Sequence, residues 1–361
     1  MVLIMKRNFE FLNVYFRTFG FKPKFIFFLL FRLFFRTFIE ISCFFDRIFF
    51  SDSKKQKLKN PVFIMGHPRS GTTFLHRFIA ENNSSFRGIK LWELLIPSIF
   101  ARNLISPLFK MFPSLTKKKL YDPAIHKTGF MFEETDDAAV FFRYFDGLFY
   151  WLFVSAWKKN PTRNIEQELK KIAGNEKNIR FLNVLYRKHM LNDNRRLISK
   201  SFSFIFNLEE IKKSNPDAKF IFMVRDPMET IPSAMSLERS IQNQLNGFSG
   251  LKKEKQLAYF GIVYQASQFF YKSFEEIIKN KEDSILVITY NRLKMNFGET
   301  MKEIIGFTGM DCDEQFLDKI KEQEARQKSF ASEHKYSPEE FGLSEEMIKR
   351  DFDFIYRKYN F

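Results

Sequence analysis

The sequence is poor in cysteine and shows no pattern of a disulfide or metal site. Its 361 residues include two cysteines, Cys43 and Cys312, which lie far apart in the chain. They belong to no metal-ligand or redox motif, and no other cluster of metal-binding residue types is apparent. We therefore expect no disulfide framework and no metal cofactor, and a reducing compartment such as the cytoplasm fits this composition.

Long uncharged hydrophobic runs are also missing, even from the apolar N-terminus. Between residues 25 and 50 the longest uncharged run is Phe25–Phe31, far short of the roughly 20 residues that a spanning helix needs. Arg32, Arg36 and Glu40 recur at a spacing of four and so share one face of a helix.

Two positions are open for this amphipathic helix. In the first, the helix lies in a membrane interface with its polar stripe on the headgroups. In the second, the helix packs on the rest of the protein and its polar stripe is in water. Nearby basic residues favour contact with an acidic membrane. They are Lys6, Arg7, Arg17, Lys22 and Lys24.

Positive charge is abundant. Lys and Arg together number 58 against 42 Asp and Glu, which gives a formal net charge of +16. Such a balance favours anionic partners, such as a nucleotide or an acidic membrane surface. Because no nucleic-acid-binding motif is present, we expect no nucleic-acid partner.

Short, continuously apolar segments alternate with helical stretches after residue 60. Continuous apolarity is typical of strands buried on both faces, which predicts a mainly parallel sheet covered by helices. The predicted strands are one that begins at Pro61, then 196–199, 219–224 and 284–289. The predicted helices are 72–81, 136–149, 208–214, 229–238 and 257–279. We divide the chain into a helical extension with a basic linker, residues 1–59, and an α/β domain with a C-terminal helical tail, residues 60–361.

The first of these strands runs into a glycine loop. Gly66 and Gly71 are spaced as in the nucleotide-binding P-loop, and an apolar helical segment follows. At position 72 this chain has threonine, where a P-loop enzyme has the lysine that reaches the β- and γ-phosphates. Its basic residue is Arg69 instead. The loop predicts a phosphate site for a nucleotide whose transferred group is not a γ-phosphate.

A second anion-binding pattern follows the strand 219–224. Arg225 comes directly after this strand, at the sheet edge where open α/β folds bind ligands. Ser233 lies eight residues further on, in the following helix, and can donate a hydroxyl to the same anion. The pair predicts a site for a second phosphate.

Together these two segments resemble the donor-binding motifs of sulfotransferases that use 3′-phosphoadenosine 5′-phosphosulfate (PAPS). Residues 68–73 resemble the 5′-phosphosulfate loop, and residues 225–233 resemble the 3′-phosphate motif. The resemblance covers about residues 60–345, and further segments are similar to the bacterial branch. These are 91–94, 215–221 and 334–343.

The family resemblance implies a doubly wound, P-loop-like α/β fold with helices on both faces of the sheet. It also implies transfer of a sulfonate group from PAPS to a hydroxyl or an amine. The donor-binding residues that it implies are Arg69, Ser70, Gly71, Thr72, Thr73 and Phe74 on the 5′ side, Arg225 and Ser233 on the 3′-phosphate, Tyr290 near the adenine, Lys200 on the donor or acceptor, and His334 and Lys335 over the nucleotide. Phe74 could equally be a core residue, and the last two could belong to a docked tail. Arg69 is assigned electrostatic catalysis and no proton transfer, because arginine stays charged.

The catalytic base is less clear, because the histidine that many members carry before the second motif is absent from residues 199–204. Glu133 and Glu134 are candidates, as in branches that use glutamate, and crowding of like charges can raise a carboxyl pKa. Glu134 is slightly preferred, and His126 is the runner-up. Both glutamates could instead belong to an acidic first helical turn. His76 and His189 are predicted to face solvent.

We expect the acceptor to be a small molecule, a lipid or a glycan. We expect the protein in the cytoplasm, where it could contact the inner face of a membrane peripherally. Two other functions remain open. A P-loop kinase or NTPase would need lysine at position 72, which is missing. A basic membrane-associated binding protein would need only the charge.

Overall fold

A parallel sheet forms the centre of the protein. The computed structural model describes residues 2–112, 114, 128–159, 164–279, 282–328 and 337–361. Its strands are β1 (Val62–Gly66), β2 (Phe86–Arg87), β3 (Arg196–Lys200), β4 (Lys219–Val224) and β5 (Ile285–Thr289). In the part of the chain that the structure describes, they form a five-stranded sheet in the order β2-β3-β1-β4-β5.

Every neighbouring pair in this sheet is parallel. The central strand β1 aligns Val62 with Ile198 of β3 on one side and with Lys219 of β4 on the other. The sequence predicted four of the strands to within a residue or so. It missed β2, because two residues are too few to show a periodicity.

Helices surround the sheet. They are α1 (Val2–Phe19), α2 (Pro23–Phe49), α3 (Thr72–Asn82), α4 (Leu91–Leu95), α5 (Ile99–Met111), α6 (Asp137–Tyr144), α7 (Gly147–Phe153), α8 (Ile165–Ile172), α9 (Glu176–His189), α10 (Leu208–Ser214), α11 (Pro227–Asn246), α12 (Lys253–Ile278), α13 (Tyr290–Met295), α14 (Phe297–Thr308), α15 (Glu314–Lys328), α16 (Glu345–Asp351) and α17 (Asp353–Tyr359).

Successive side chains of each strand point to opposite faces of the sheet. Val62 and Ile64 of β1 pack in an apolar cluster with α3, α14 and α15. Phe63 and Met65 pack in a larger cluster on the other face, with α9 and α12 among its helices. Because helices cover both faces, the predicted doubly wound α/β fold is confirmed.

One predicted helix, residues 136–149, is two helices in the structure. The chain leaves the helical region at Phe145, with φ +50°, and at Gly147, with φ +76°. Between them Asp146 accepts a hydrogen bond from the Gly147 N–H at 2.9 Å and pairs with Arg7 at 2.9 Å. The two helices therefore separate at the Asp146-Gly147 pair, a turn signal within the predicted helix, and Arg7, some 140 positions away, adds a partner that the local pattern could not indicate.

The N-terminal extension consists of two helices that pack on the rest of the protein. Gly20, with φ +76°, ends α1, and Pro23 begins α2. Phe11, Tyr15 and Phe25 lie in the same apolar cluster as the face of the sheet that holds Phe63. Among the described residues, no helix combines the length and the apolarity needed to cross a membrane.

The polar stripe of α2 faces the protein. Arg32 is fully buried, donates to Asn8 Oδ1 at 2.6 Å, and lies 4.4 Å from the centre of the Phe145 ring. Glu40 accepts from Arg143 Nη2 at 3.1 Å. The predicted packing of this helix on the protein is confirmed, but Arg32 itself is neither on headgroups nor in water, because partners distant in sequence bind it. The Arg36 and Glu40 side chains stay 20% and 40% exposed.

Candidate active site

The carboxyl ends of four parallel strands bring the predicted site residues to one edge of the sheet. The glycine loop follows β1 and leads into α3, while Arg225 follows β4. Lys200 ends β3, and Tyr290 comes directly after β5. These residues span more than half of the sequence, and the parallel topology alone accounts for their meeting.

Two glycines let the loop pass close to its neighbours. A Cβ on Gly66 would lie 2.5 Å from Ser70 Oγ and 2.7 Å from the Met223 carbonyl oxygen. Gly71 has φ +93°, and a Cβ there would lie 2.8 Å from Tyr290 Cδ2. Gly71 is also the N-cap of α3 and has no side chain to cap it. The first N–H groups of α3 therefore remain available for an anion.

Arg69 links the two anion-binding motifs. Its φ of +74° lies in the left-handed region, which costs a non-glycine residue roughly 1–2 kcal/mol. Its Nε donates to Ser233 Oγ at 3.0 Å, and its carbonyl oxygen accepts from Arg225 Nη1 at 3.0 Å. Arg69, Arg225 and Ser233 thus form one cluster, whereas the family resemblance implied Arg69 on the 5′ side of the donor.

Several contacts fix the Arg225 side chain. Its guanidinium carbon lies 4.1 Å from the centre of the Tyr290 ring, and its Nε donates to Glu229 Oε2 at 2.6 Å. Its carbonyl oxygen accepts from the Tyr271 hydroxyl at 3.1 Å. Ser233 lies on α11 with 5% of its surface exposed. This arrangement can bind a phosphate through two guanidinium groups and a hydroxyl.

A second polar group lies at the end of β3. Lys200 Nζ donates to Thr73 Oγ1 at 2.9 Å, so this lysine reaches the first turn of α3. The side chain is buried, and burial lowers its pKa, while the nearby carboxylate of Glu134 acts in the opposite direction. One helical turn after Thr73, Arg77 donates to the carboxylate of Glu134. The loop therefore has a lysine beside it, supplied by β3.

The two adjacent glutamates have different surroundings. Glu134 accepts hydrogen bonds from Arg77 Nη2 at 2.9 Å and from the Thr128 hydroxyl. The Glu133 carboxylate lies against Gly88, where a Cβ would be 2.2 Å from its Oε2. Burial, with a smaller contribution from the charge of Glu81, raises the pKa of Glu133 to about 7. The Glu134 carboxylate is thus held by Arg77, whereas Glu133 Oε2 is buried and accepts no hydrogen bond from the described residues.

A buried hydrogen-bond network attaches this acidic segment to β3. Asp136 accepts from the Tyr186 hydroxyl at 2.5 Å and from the Ser199 hydroxyl. Its backbone N–H donates to the Lys200 carbonyl oxygen at 3.2 Å. Burial raises the pKa of Asp136 to about 7. These contacts hold the Glu133–Glu134 pair near Lys200.

Sequence reasoning missed part of this site. Arg77 was not singled out, although its spacing of four from Thr73 on a predicted helix could have indicated it. The predictions that His76 and His189 face solvent were wrong, since they are 1% and 3% exposed. His76 Nε2 lies 3.3 Å from the Ile198 carbonyl oxygen, and His189 Nε2 lies 2.9 Å from that of Gly88.

The remaining predicted site residues take different positions. Thr72 and Ser70 are buried in the loop. Phe74 is half-buried and packs against Phe78 and Phe297, with ring centres 6.3 and 5.8 Å away. His126, His334 and Lys335 lie outside the described residues.

Comparison with known proteins identifies the family. The model of the sulfotransferase family matches residues 61–314, which include the glycine loop, the glutamate pair and the Arg225 motif. The chain belongs to the sulfotransferase family. This match confirms the resemblance seen in the sequence. A search of curated protein sequences found no match.

Solved sulfotransferases also share the fold. Sulfotransferase STF9 from Mycobacterium avium matches with a TM-score of 0.67 and 16% identity, over 86% of this chain and 79% of that one. Sulfotransferase STF1 from Mycobacterium tuberculosis H37Rv matches with a TM-score of 0.62 and 16% identity, over 85% and 80%. At this level of identity the likeness establishes the fold alone.

Proposed function

We propose that this sulfotransferase uses PAPS as its donor and binds the 3′-phosphate with Arg69, Arg225 and Ser233. The observation that carries this proposal is the direct contact between the two motifs. Arg69 Nε donates to Ser233 Oγ, and Arg225 Nη1 donates to the Arg69 carbonyl oxygen, both at 3.0 Å. Two arginines and a hydroxyl suit a dianionic phosphate. A 3′-phosphate is the group that distinguishes this donor from ATP.

The 5′-phosphosulfate binds at the start of α3. Backbone N–H groups of the first turn, together with the hydroxyls of Thr72 and Thr73, surround that position. Lys200 is bound to Thr73 Oγ1 at 2.9 Å and so places a positive charge next to the same group. Tyr290, against Arg225 and Gly71, lies between the two phosphate positions and contacts the nucleoside.

The reaction is an in-line displacement at sulfur. The acceptor oxygen or nitrogen forms a new bond to sulfur while the bond from sulfur to the 5′-phosphate oxygen breaks. The leaving 3′,5′-ADP keeps the electron pair of that bond, and the acceptor proton passes to a base. Lys200 and the α3 N–H groups stabilise the negative charge that grows on the leaving phosphate.

Glu134 is our candidate for the base. Arg77 fixes its carboxylate at 2.9 Å, and its charge acts on Lys200 beside the loop. Glu133 has a pKa of about 7 that suits a base, but its carboxylate is turned towards Gly88 and His76. His126 remains a further candidate.

The acceptor carries a hydroxyl or an amine on a partly apolar molecule, such as a lipid, a glycan or another small molecule. Met131 and Phe132 come just before the glutamates and are 42% and 43% exposed. They can contact an apolar part of the acceptor next to Glu134. We place the reaction in the cytoplasm, since Cys43 and Cys312 are both free thiols.

Thermal unfolding with a panel of nucleotides tests the donor. We expect 3′,5′-ADP to raise the unfolding temperature, because it fills both phosphate positions, while 5′-AMP and ADP give little change. Stabilisation by Mg-ATP and none by 3′,5′-ADP would overturn the proposal. Equal stabilisation by 5′-AMP and 3′,5′-ADP would show that the protein has no binding site for the 3′-phosphate.

A further inference from the structure

The second helix of the extension presents an apolar face to the outside. Large side chains along α2 that are more than half exposed include Phe27, Leu30, Phe31, Phe34, Ile41 and Phe44. They lie mostly three, four or seven residues apart, so they form one stripe along the helix. An exposed apolar stripe of this length is unusual on a soluble protein and marks an interaction site.

A neighbouring helix extends this surface. α5 packs beside α2, with the Phe45 and Phe100 rings 4.9 Å apart. It has its own exposed apolar residues, Leu104, Leu108 and Met111, which also recur every three or four positions. We call the exposed stripes of α2 and α5 the apolar surface.

Polar contacts on the opposite face of α2 hold this orientation. Asp46 is 1% exposed and accepts from Ser98 Oγ at 2.9 Å, from the Phe100 N–H at 2.8 Å and from Lys188 Nζ at 2.6 Å. Arg32 is buried against Asn8 and Phe145. Turning the apolar stripe inward would break all of these bonds and expose buried apolar surface of the domain. The outward stripe is therefore a stable property of the fold.

The extension that carries most of the apolar surface has mostly positive charges. Residues 1–59 contain twelve basic and four acidic residues, which is half of the net charge of +16. Three of the acidic side chains bind partners inside the protein: Glu10 with Lys158, Glu40 with Arg143, and Asp46 with Lys188. Of the charged side chains described between positions 5 and 59, those that are exposed are Lys6, Arg17, Lys24, Arg47, Lys55, Lys57, Lys59 and one acid, Asp52.

We infer that the extension and α5 dock on an anionic lipid bilayer, with the apolar surface inserted among the headgroups and the exposed lysines and arginines bound to lipid phosphates. Buried apolar area and attraction to anionic lipids are the two terms that bind an interfacial helix. The insertion is the reverse of the orientation expected from the Arg32 stripe. A second copy of this chain is a poorer partner, because it would bring another charge of +16 to the same face.

Flotation of the full-length protein with vesicles tests this inference, and the readout does not depend on sulfotransfer. Vesicles of phosphatidylglycerol and phosphatidylcholine are compared with vesicles of phosphatidylcholine alone. We expect binding to the anionic vesicles, weakened but not abolished at about 1 M salt, where the Debye length is about 3 Å. No binding to the anionic vesicles would overturn the inference.

Substitutions in the exposed stripe of α2 provide a second test of this inference. Replacing Phe27, Phe31 and Phe34 by Gln removes three aromatic rings and should weaken vesicle binding at least about 10-fold. A matched control replaces Val184, Met295 and Leu317, which are exposed apolar residues elsewhere, by Gln. The control should bind like the unsubstituted protein. Thermal unfolding checks that each variant is folded. A second variant, with Ile41 and Phe44 replaced by Gln, repeats the test at another part of the stripe.

Two results would contradict docking through the apolar surface. The first is unchanged vesicle binding when the three phenylalanines are replaced in a folded protein. The second is an oligomer in sedimentation that dissociates on the same substitution without any vesicle binding, which would assign the surface to a second copy of the chain.

Discussion

The N-terminal extension and the sheet edge use charged and aromatic residues in opposite ways. At the sheet edge, Arg69 and Arg225 are partly exposed beside the buried Lys200, where we propose that the donor binds, and aromatic residues such as Phe63 and Phe220 lie behind them in the core. In the extension, Arg32 and Asp46 are buried in polar contacts, while one row of aromatic side chains, Phe27, Phe31 and Phe34, is exposed. An amphipathic pattern therefore shows which residues share a face and leaves open which face is buried.

The comparison has an experimental consequence. Polar residues of the extension should contribute to folding stability, with little effect on nucleotide binding. Polar residues of the sheet edge should contribute to binding or turnover, with little effect on stability. A variant of the extension that lowers nucleotide affinity but not stability, or a sheet-edge variant that lowers stability but not binding or turnover, would contradict this division between the two regions.

The largest effect is expected for Glu134→Gln. Gln keeps the hydrogen bond from Arg77 and cannot take a proton, so turnover should fall by about 10²–10⁴. Affinity for 3′,5′-ADP and the unfolding temperature should stay nearly unchanged. Transfer of label from PAPS, measured with an acceptor fraction from extracts, gives the turnover.

Glu133→Gln is the matched control for this prediction. Full turnover in Glu134→Gln together with loss in Glu133→Gln would move the base to Glu133. Full turnover in both would leave His126 as the remaining candidate, which a change to Gln there would test.

The next effect is on stability, in Asp46→Ala. This change leaves Lys188 and the first N–H groups of α5 without their acceptor, and removing one partner of a buried ion pair costs about 3–5 kcal/mol. Urea unfolding should show a loss of that size, while affinity for 3′,5′-ADP is retained. Asp52→Ala is the control, because Asp52 is exposed on the same extension. A loss no greater than that of the control would mean that Asp46 does not fasten the extension.

The smallest effect concerns the pH dependence of stability at Glu133. Burial raises its pKa from 4.5 to about 7, so the native state binds more protons than the unfolded chain between these values. Its contribution to stability is complete below pH 4.5 and is lost as the pH rises through about 7. Glu133→Gln removes this titration. The difference in free energy of unfolding between Glu133→Gln and the unsubstituted protein should therefore increase by about 1–3 kcal/mol from pH 5 to pH 8, in favour of the variant.

Chemical unfolding at these two pH values measures the gain. The control is Glu166→Gln, since Glu166 is exposed on α8 and should give the same difference at both pH values. A gain of equal size in the control would show that the effect does not arise from the buried carboxyl.

Much of the fold and of the candidate donor site could be predicted from the sequence. Residues 219–224 are apolar without interruption, and such strands form parallel sheets whose carboxyl ends meet. That reasoning brought Arg225 and the glycine loop together before any contact was known. The contact of Arg69 with Ser233 could not be predicted, because it depends on a left-handed φ at Arg69.

Other features depend on partners that no local pattern reveals. Asn8 and Phe145 bury Arg32, and Arg7 pairs with Asp146 where α6 and α7 separate. His76 follows the loop at helical spacing, but the strand that covers it lies some 120 residues further along the chain. Sequence periodicity indicated the helices that carry Arg32 and His76 but joined α6 and α7 into one, and it could not indicate what packs on each face.

The central claim is that Arg69, Arg225 and Ser233 form a site for the 3′-phosphate of the donor. Isothermal titration of 3′,5′-ADP and 5′-AMP, with the unsubstituted protein and with Arg225→Ala, tests it most directly. A charged hydrogen bond contributes about 1.5–3 kcal/mol. We therefore predict that the preference for 3′,5′-ADP over 5′-AMP falls by about 10- to 100-fold in the variant, with 5′-AMP affinity unchanged. The same preference in both proteins would contradict the assignment of this site.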